Sequence, residues 1–174
     1  MKAIIAVPVF LVVVILDFIT KAVAVATMVT AGAPRPVLGD WVRFALVYTP
    51  GAAFGLHLGP YSRWLFMALT AVALVVLWRL YRSASDQDVP KVLAIALVAS
   101  GAVGNVIDRV RSELGVVDFI DVGIGAHRWP TFNVADMAVS TGAILLAWVL
   151  WQEERRAEAL LAEQKASSST TGAS

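Results

Sequence analysis

The sequence TFNVAD, residues 131–136, stands directly before an apolar run at residues 137–151. It places Asn133 and Asp136 three residues apart at the edge of a hydrophobic segment. A charged side chain in or near hydrocarbon costs about 2.5–3.5 kcal/mol on insertion scales. A carboxylate here is therefore expensive, which favours a functional reason for its presence. The run that follows predicts a membrane-spanning helix.

Two further polar positions lie upstream of this stretch. The cluster GNVIDR, residues 104–109, ends the preceding apolar run, and Asp118 lies between the two clusters in GVVDFI, residues 115–120. Several acids that converge on one membrane face indicate a site that uses water in acid–base chemistry.

The composition limits the class of protein. The chain has 174 residues, of which 59% are hydrophobic and 16% charged, and its mean hydropathy is +0.75. A soluble domain carries about 25% charged residues, so we predict a polytopic membrane protein with one compact domain. The net charge of +1 and the lack of a basic stripe argue against a nucleic-acid partner.

Cysteine and histidine chemistry contributes little to the expected site. The chain has no cysteine, which excludes disulfides, thiolate metal sites and a cysteine nucleophile. Its two histidines, His57 and His127, fall in separate loops without metal-ligand spacing. We expect neither a metal ion nor a cofactor.

The predicted fold is an all-α membrane protein with four transmembrane helices and a small extracytoplasmic β cap. Each apolar segment approaches the roughly 17–25 residues that span a bilayer. The helices are expected at about residues 3–28, 64–81, 92–109 and 132–151, within one domain at 1–152. The first segment begins like a signal peptide, but its length and the interrupting Asp17 and Lys21 favour a retained helix.

The segments outside the four helices differ in character. A Gly- and Pro-rich stretch contains the β-favouring run 41–48, which predicts a β cap at about 37–60 on the membrane surface. Residues 110–130 are expected to form a second loop on the same side. Residues 153–174 form a charged tail, predicted to be helix-favouring at first and disordered over its Ser/Thr-rich end, 167–174.

The orientation follows from the basic residues. Lys and Arg are almost evenly divided between the two sides, but Lys2, Lys91 and Lys165 fall on the side of the termini. We therefore place both termini and the tail in the cytoplasm. The end of the third helix and the start of the fourth then face the extracytoplasmic side, where Asp118 and Asp136 are expected to meet.

Two carboxylates that share a site cannot easily both ionise, so such a pair tends to hold one proton between them. One member can activate water while the other protonates a leaving amine. The spacing of Asn105, Asp108 and Arg109 puts all three on one helix face, as does the i, i+3 spacing of the Asn and Asp in residues 131–136.

Structural interpretations compete with this one. An interfacial cap or ion pair explains Asp108 and Arg109 equally well, and Asp17 with Lys21 fits structural pairing better than catalysis. Asp121 is interpreted as a solvated loop acid. An ion-coupled transporter and a non-enzymatic scaffold are the alternative functions, although no internal repeat supports a transporter.

At these residues the chain resembles the signal peptidase II, or lipoprotein signal peptidase, family, over about residues 10–150. The matching motifs are, in order, DFITK (17–21), PGAAFG (50–55), SGAVGNVIDR (100–109), VDFI (117–120) and FNVAD (132–136). The resemblance implies a bacterial inner-membrane aspartic peptidase with four transmembrane helices. Such enzymes cleave prolipoproteins just before a cysteine that carries diacylglycerol.

The resemblance also implies residue roles. Asp118 and Asp136 would be the catalytic pair, and the residues that shape the site or hold substrate would be Asp17, Lys21, Thr49, Gly51, Ala52, Asn105, Asp108, Arg109 and Asn133. The expected partners are lipid-modified prolipoproteins, membrane lipid and globomycin-type peptide inhibitors, with the protein a monomer. Where the family usually has Asn before x-Gly-Ala-Ala, this chain has Thr49, so any contact of that Asn is in question.

Overall fold

The computed structural model describes residues 1–28, 33–50 and 61–171, with side chains up to residue 165. Its described part contains four long helices: α1 (Lys2–Met28), α2 (Ser62–Ser83), α3 (Val89–Arg111) and α4 (Val134–Thr171). Each is long and apolar enough to cross a membrane. The prediction of a mostly helical protein with four transmembrane helices is confirmed.

The helix ends differ from the predicted ones for local reasons. α3 begins at Val89, before the expected residue 92, because the Asp88 side chain accepts a hydrogen bond from the backbone N–H of Lys91 at 3.2 Å. Pro90 stands in the first turn, where its missing N–H costs nothing. Asp88 and Pro90 therefore determine where α3 begins, a position that hydropathy alone does not locate.

The fourth helix extends beyond the transmembrane span predicted at about 132–151. α4 continues to Thr171 and includes residues 167–171, which were expected to be disordered. The run 152–165 is rich in Ala, Glu, Leu and Arg and has neither Gly nor Pro. These residues favour helix without any help from a membrane, so the helix does not stop where the apolar span does.

An antiparallel sheet covers one end of the helices. Its strands are β1 (Arg35–Leu38), β2 (Val42–Thr49), β3 (Val116–Ile124) and β4 (His127–Arg128), paired in that order. The predicted cap was only half of this sheet, because β3 and β4 fall in the stretch 110–130 that was interpreted as a loop. Residues 51–60 of the predicted cap lie outside the described residues.

Helix α3 lies at the centre and contacts the other three helices. Small residues allow the close approach: a Cβ added at Gly104 would lie 2.6 Å from Oδ2 of Asp17, and one at Gly142 would lie 2.8 Å from Cβ of Leu97. Large apolar side chains on the other helices, such as Val72 and Ile144, are exposed and suit a lipid environment. The sheet sits where α1 and α3 end and α4 begins, so acidic residues from four elements meet there.

Candidate active site

The start of α4 is a capping box. The side-chain oxygen of Asn133 accepts the backbone N–H of Asp136 at 2.9 Å, and the Asp136 carboxylate accepts the backbone N–H of Asn133 at 3.2 Å. This reciprocal arrangement satisfies two N–H groups that a helix start leaves without intrahelical partners. The i, i+3 spacing therefore has a structural cause, which also fixes the Asp136 carboxylate at the helix mouth.

Asp118 is brought to the same place by the sheet. Strand β3 pairs with β2 on one side, and on the other Phe132 exchanges backbone hydrogen bonds of 2.8 and 3.1 Å with Ile120. Because Phe132 immediately precedes the capping box, this bridge ties β3 to the start of α4. The side chain of Asp118 is buried.

Asn133 connects the two carboxylates, which we call the acid pair (Asp118 and Asp136). Its side-chain N–H donates to Oδ1 of Asp118 at 2.7 Å, and its backbone N–H donates to Oδ2 of Asp136 at 3.2 Å. The same amide also donates to the carbonyl of Val117 at 3.2 Å. Asn133 is completely buried, so its geometry is set by these hydrogen bonds and not by solvent.

Two further hydrogen bonds to the acid pair come from neutral donors. The hydroxyl of Thr49 donates to Oδ2 of Asp118 at 2.5 Å, and the side-chain amide of Asn105 donates to Oδ1 of Asp136 at 2.8 Å. Thr49 ends strand β2 and Asn105 belongs to α3. The hydrogen bonds that each acid accepts from the described residues therefore come from groups that carry no charge.

Behind the acid pair lies a buried group that we call the Lys21 cluster (Lys21, Asp17, Asp108 and Asn105). The ammonium of Lys21 lies 2.7 Å from Asp17, 2.8 Å from Asp108 and 3.0 Å from the side-chain oxygen of Asn105. An ammonium has three protons to donate, and here each finds an acceptor. Complete satisfaction of this kind is what makes a buried lysine tolerable.

The Lys21 cluster also holds the surrounding backbone. The second oxygen of Asp17 accepts the N–H of Ala135 in the first turn of α4 at 2.9 Å, and Asp108 accepts the N–H of Val117 at 3.3 Å. Asp17 thus holds the start of α4, which carries Asp136. Asp108 holds strand β3, which carries Asp118. This placement agrees with a structural interpretation of Asp17 and Lys21.

The acid pair faces a cavity of about 860 Å³. Asn105 and Arg109 also line it, and Arg109 donates to the carbonyl of Asn105 at 3.3 Å. The rest of the wall is mainly apolar, with Val47, Pro50, Val116, Trp129, Phe132, Met137 and Val139. A cavity with an apolar wall and a few convergent polar groups is the usual form of a ligand site.

Burial raises the pKa of Asp118 to about 6. The neighbouring Asp136 acts in the same direction, whereas the hydrogen bonds from Thr49 and Asn133 and the charge of Lys21 oppose it. Asp118 is therefore poised to exchange a proton near neutral pH, which is a property of catalytic acids and bases.

Asp121 corrects one expectation. It was interpreted as a solvated loop acid, but it is buried on β3 between Arg43 and Arg128. Its two oxygens accept hydrogen bonds of 2.8 to 3.0 Å from these guanidinium groups. The strand register explains this contact, because Arg43 on β2 lies directly opposite Asp121.

Most of the sequence-predicted site residues meet at this end of the helices. The acid pair, the Lys21 cluster, Asn133, Thr49 and Arg109 form one connected region, whereas Gly51 and Ala52 lie outside the described residues. Sequence reasoning missed two backbone contacts: the carbonyl of Val117 accepts a hydrogen bond from the Asn133 side chain, and the N–H of Ala135 donates one to Asp17. The high content of β-branched residues after Gly115, in VVDFIDV (116–122), was a signal that could have revealed the strand.

The chain is similar in sequence to known proteins of one family. The family model for signal peptidase (SPase) II matches residues 9–152. A lipoprotein signal peptidase of Cupriavidus taiwanensis is 42% identical over 139 residues, which cover 78% of this chain and 76% of the relative. One of Hydrogenovibrio crunogenus is 39% identical over 155 residues, or 84% of this chain and 87% of that protein.

A solved structure shares the fold. It is described as a bacterial membrane enzyme structure obtained by the in meso method, and it aligns with a TM-score of 0.76 and 31% sequence identity. The alignment covers 86% of this chain and 88% of the solved one. The family match contains the second and third transmembrane segments, parts of the first and fourth, and every member of the acid pair and the Lys21 cluster. The chain belongs to the signal peptidase II family.

Proposed function

We propose that this protein is an aspartic membrane peptidase that removes the signal peptide from diacylglyceryl-modified prolipoproteins. The observation that carries the proposal is the acid pair itself. Asp118 and Asp136 are joined through Asn133, are held by neutral donors, and face one cavity. Two carboxylates in such a setting can divide the roles of acid and base.

The reaction is the hydrolysis of one peptide bond. The ionised member of the acid pair takes a proton from water while the water oxygen bonds to the carbonyl carbon. The protonated member donates a hydrogen bond to the carbonyl oxygen. The carbon–nitrogen bond then breaks, and the protonated acid supplies the proton that the leaving nitrogen requires. The products are a signal peptide with a free carboxyl end and a lipidated cysteine with a free amino group.

The position of the cavity supports a substrate of this kind. The acid pair lies where α3 ends and α4 begins, which is the end of the apolar spans. A lipidated cysteine keeps its acyl chains in the bilayer, so its peptide bond is presented at this level. The apolar wall around Val139 and Met137 suits acyl chains or a signal helix. The names of the curated relatives support prolipoproteins as the substrate.

We place the protein in the bacterial cytoplasmic membrane, with the acid pair on the extracytoplasmic side. Lys2 and Lys91 lie at the end of the helices opposite the sheet, where Lys2 contacts the carbonyls of Tyr81 and Ala84. Lysine at the cytoplasmic end follows the usual charge bias. Globomycin-type peptides are expected to occupy the same cavity.

The test is a cleavage assay with purified protein and a prolipoprotein that carries or lacks diacylglyceryl on its cysteine. Mass spectrometry of the product locates the cut. We expect cleavage of the lipidated form alone, directly before the cysteine, and its loss in Asp136→Asn. Cleavage of both forms alike would contradict the lipid requirement. No cleavage by folded wild-type protein would remove the peptidase proposal itself.

A further inference from the structure

The donors that hold the acid pair are not equivalent. Within the described residues, Asp136 accepts from the side-chain amide of Asn105 and from the backbone of Asn133. Asp118 accepts from the side-chain amide of Asn133 and from the hydroxyl of Thr49. An amide N–H can only donate, whereas a hydroxyl can donate with its proton or accept with its lone pairs.

This difference matters when Asp118 gains a proton. A carboxylic acid protonated on Oδ2 needs an acceptor for that proton whenever no substrate carbonyl is in reach, and a neighbouring N–H could not accept it. The Thr49 hydroxyl lies 2.5 Å from Oδ2 and needs only to rotate to become an acceptor. The hydrogen bond then survives in both protonation states, so the carboxyl group does not have to move during the reaction.

We propose that Thr49 is a positioning residue that keeps Asp118 hydrogen-bonded and in place in both its ionised and its protonated form. The proposal rests on the proposed function, in which Asp118 exchanges a proton during each turnover. It assigns a task to the position where this chain departs from the Asn that is usual in the family.

The local backbone suits this task. Thr49 is paired with Val116 at the end of β2, and Asp118 is two residues farther along β3 on the same face of the sheet. Gly115 has φ of 98°, and a Cβ there would overlap the carbonyl of Thr49. The glycine permits the close contact that fixes the end of β2 beside Asp118.

The charges around Asp118 set the expected direction of the effect. Asp136 faces it from α4 and favours its neutral form, whereas Lys21 from α1 and Arg109 from α3 favour its ionised form. The Thr49 hydrogen bond also favours the ionised form. A hydrogen bond to the ionised carboxylate is stronger than one made by the neutral acid. Loss of the Thr49 hydroxyl, with the charges unchanged, therefore shifts proton release by Asp118 to higher pH.

The experiment compares Thr49→Val, Thr49→Ser and wild-type protein in the prolipoprotein cleavage assay over a range of pH. Valine keeps the shape of threonine and favours strand, so the sheet should tolerate it, and thermal unfolding checks this. We expect Thr49→Val to lower kcat about 10- to 100-fold, the range for a hydrogen bond to a charged group. One limb of its pH profile should move to higher pH. Thr49→Ser should stay close to wild type in both respects.

Two further measurements keep the result interpretable. Thr70→Val is the matched control, because the Thr70 hydroxyl donates to the carbonyl of Phe66 within α2, and its profile should be unchanged. Carboxyl ¹³C NMR follows the titration of Asp118 without needing activity, and its midpoint should rise in Thr49→Val alone.

The proposal is overturned if Thr49→Val titrates and cleaves as wild type does, or if Thr49→Ser fails as badly as Thr49→Val. If wild-type protein cleaves nothing, the proposed function fails, and the titration still decides whether Thr49 holds Asp118.

Discussion

Two aspartates on strand β3, Asp118 and Asp121, are buried almost equally, with 4% and 5% of their surfaces exposed. Their hydrogen-bond partners among the described residues differ completely. Asp118 is held by a hydroxyl and an amide, whereas Asp121 is held by two guanidinium groups. Burial raises the pKa of Asp118 to about 6. Burial acts on Asp121 as well, but the hydrogen bonds and charges of Arg128 and Arg43 outweigh it and lower its pKa.

The comparison shows that burial alone does not make an acid reactive. A carboxylate beside fixed cations remains ionised and serves as a structural tie, in this case between β2, β3 and β4. A carboxylate beside neutral donors keeps its geometry but can still change its protonation state. We therefore infer that the partners of each carboxylate separate a structural role for Asp121 from the catalytic role proposed for Asp118.

The largest expected effect is on cleavage. Asp118→Asn should reduce kcat by about 10²–10⁴-fold, the usual contribution of a general acid or base. Asp121→Asn should leave kcat near wild type in protein that remains folded. Cleavage of a lipidated prolipoprotein under single-turnover conditions measures both. Equal losses of kcat in the two variants would contradict the different roles inferred for Asp118 and Asp121.

The next effect concerns the cation behind the acid pair. Lys21→Met leaves Asp17 and Asp108 without the ammonium that they share, and breaking a buried pair in this way costs about 3–5 kcal/mol. The matched control is Lys91→Met, since Lys91 pairs at 2.7 Å with Glu153, whose side chain is 42% exposed. The decrease in the free energy of unfolding caused by Lys91→Met should stay below about 1 kcal/mol. Thermal unfolding in detergent compares the two, and similar losses would contradict the importance of burial.

The third expected effect is a gain in stability, in Asp118→Asn. The pKa of Asp118 in the folded protein, about 6, exceeds the ordinary 3.8, so ionisation works against folding. This penalty is absent below pH 3.8, grows as the pH rises, and is complete above about pH 6. Two pH units correspond to about 3 kcal/mol. Asp118→Asn should therefore be more stable than wild type at pH 8, by up to that amount, and the gain should shrink toward pH 4.

Unfolding of both proteins in one detergent across this pH range measures the gain. A gain that does not depend on pH would mean that the charge of Asp118 is not its source.

The smallest effect is expected from Asp121→Asn on stability. Its carboxylate makes charge-assisted hydrogen bonds with Arg43 and Arg128, and their loss should cost about 2 kcal/mol. Because the pKa of Asp121 is lowered on folding, its contribution is present above pH 3.8 and is lost as the pH falls through the lowered value. The destabilisation should thus be constant from pH 5 to pH 8. A difference that grows with pH across that range would argue against the two arginines as its cause.

The sequence predicted the helices because hydropathy and length alone determine which segments span a membrane. It also predicted that the acid pair lies at one end of the helices, since four spans place the end of α3 and the start of α4 on the same side. The capping box of Asn133 and Asp136 was visible as spacing, although its backbone hydrogen bonds were not foreseen.

What the sequence did not reveal depends on strand register. Strand β3 was interpreted as loop, so the pairing of Arg43 with Asp121 and the approach of Thr49 to Asp118 could not be derived. Register joins residues about 70 positions apart through backbone pairing, and a shift of one residue would reverse every side chain. The different roles of the two acids were hidden for the same reason.

The most direct test of the account is the titration of Asp118 and Asp121 in one sample. Carboxyl ¹³C NMR of the protein labelled at aspartate would follow both groups, with resonances assigned from Asp118→Asn and Asp121→Asn. We expect Asp118 to titrate near pH 6, while Asp121 stays ionised down to at least its ordinary pKa of 3.8. A midpoint for Asp118 at or below that of Asp121 would contradict the claim that neutral and cationic partners separate their roles.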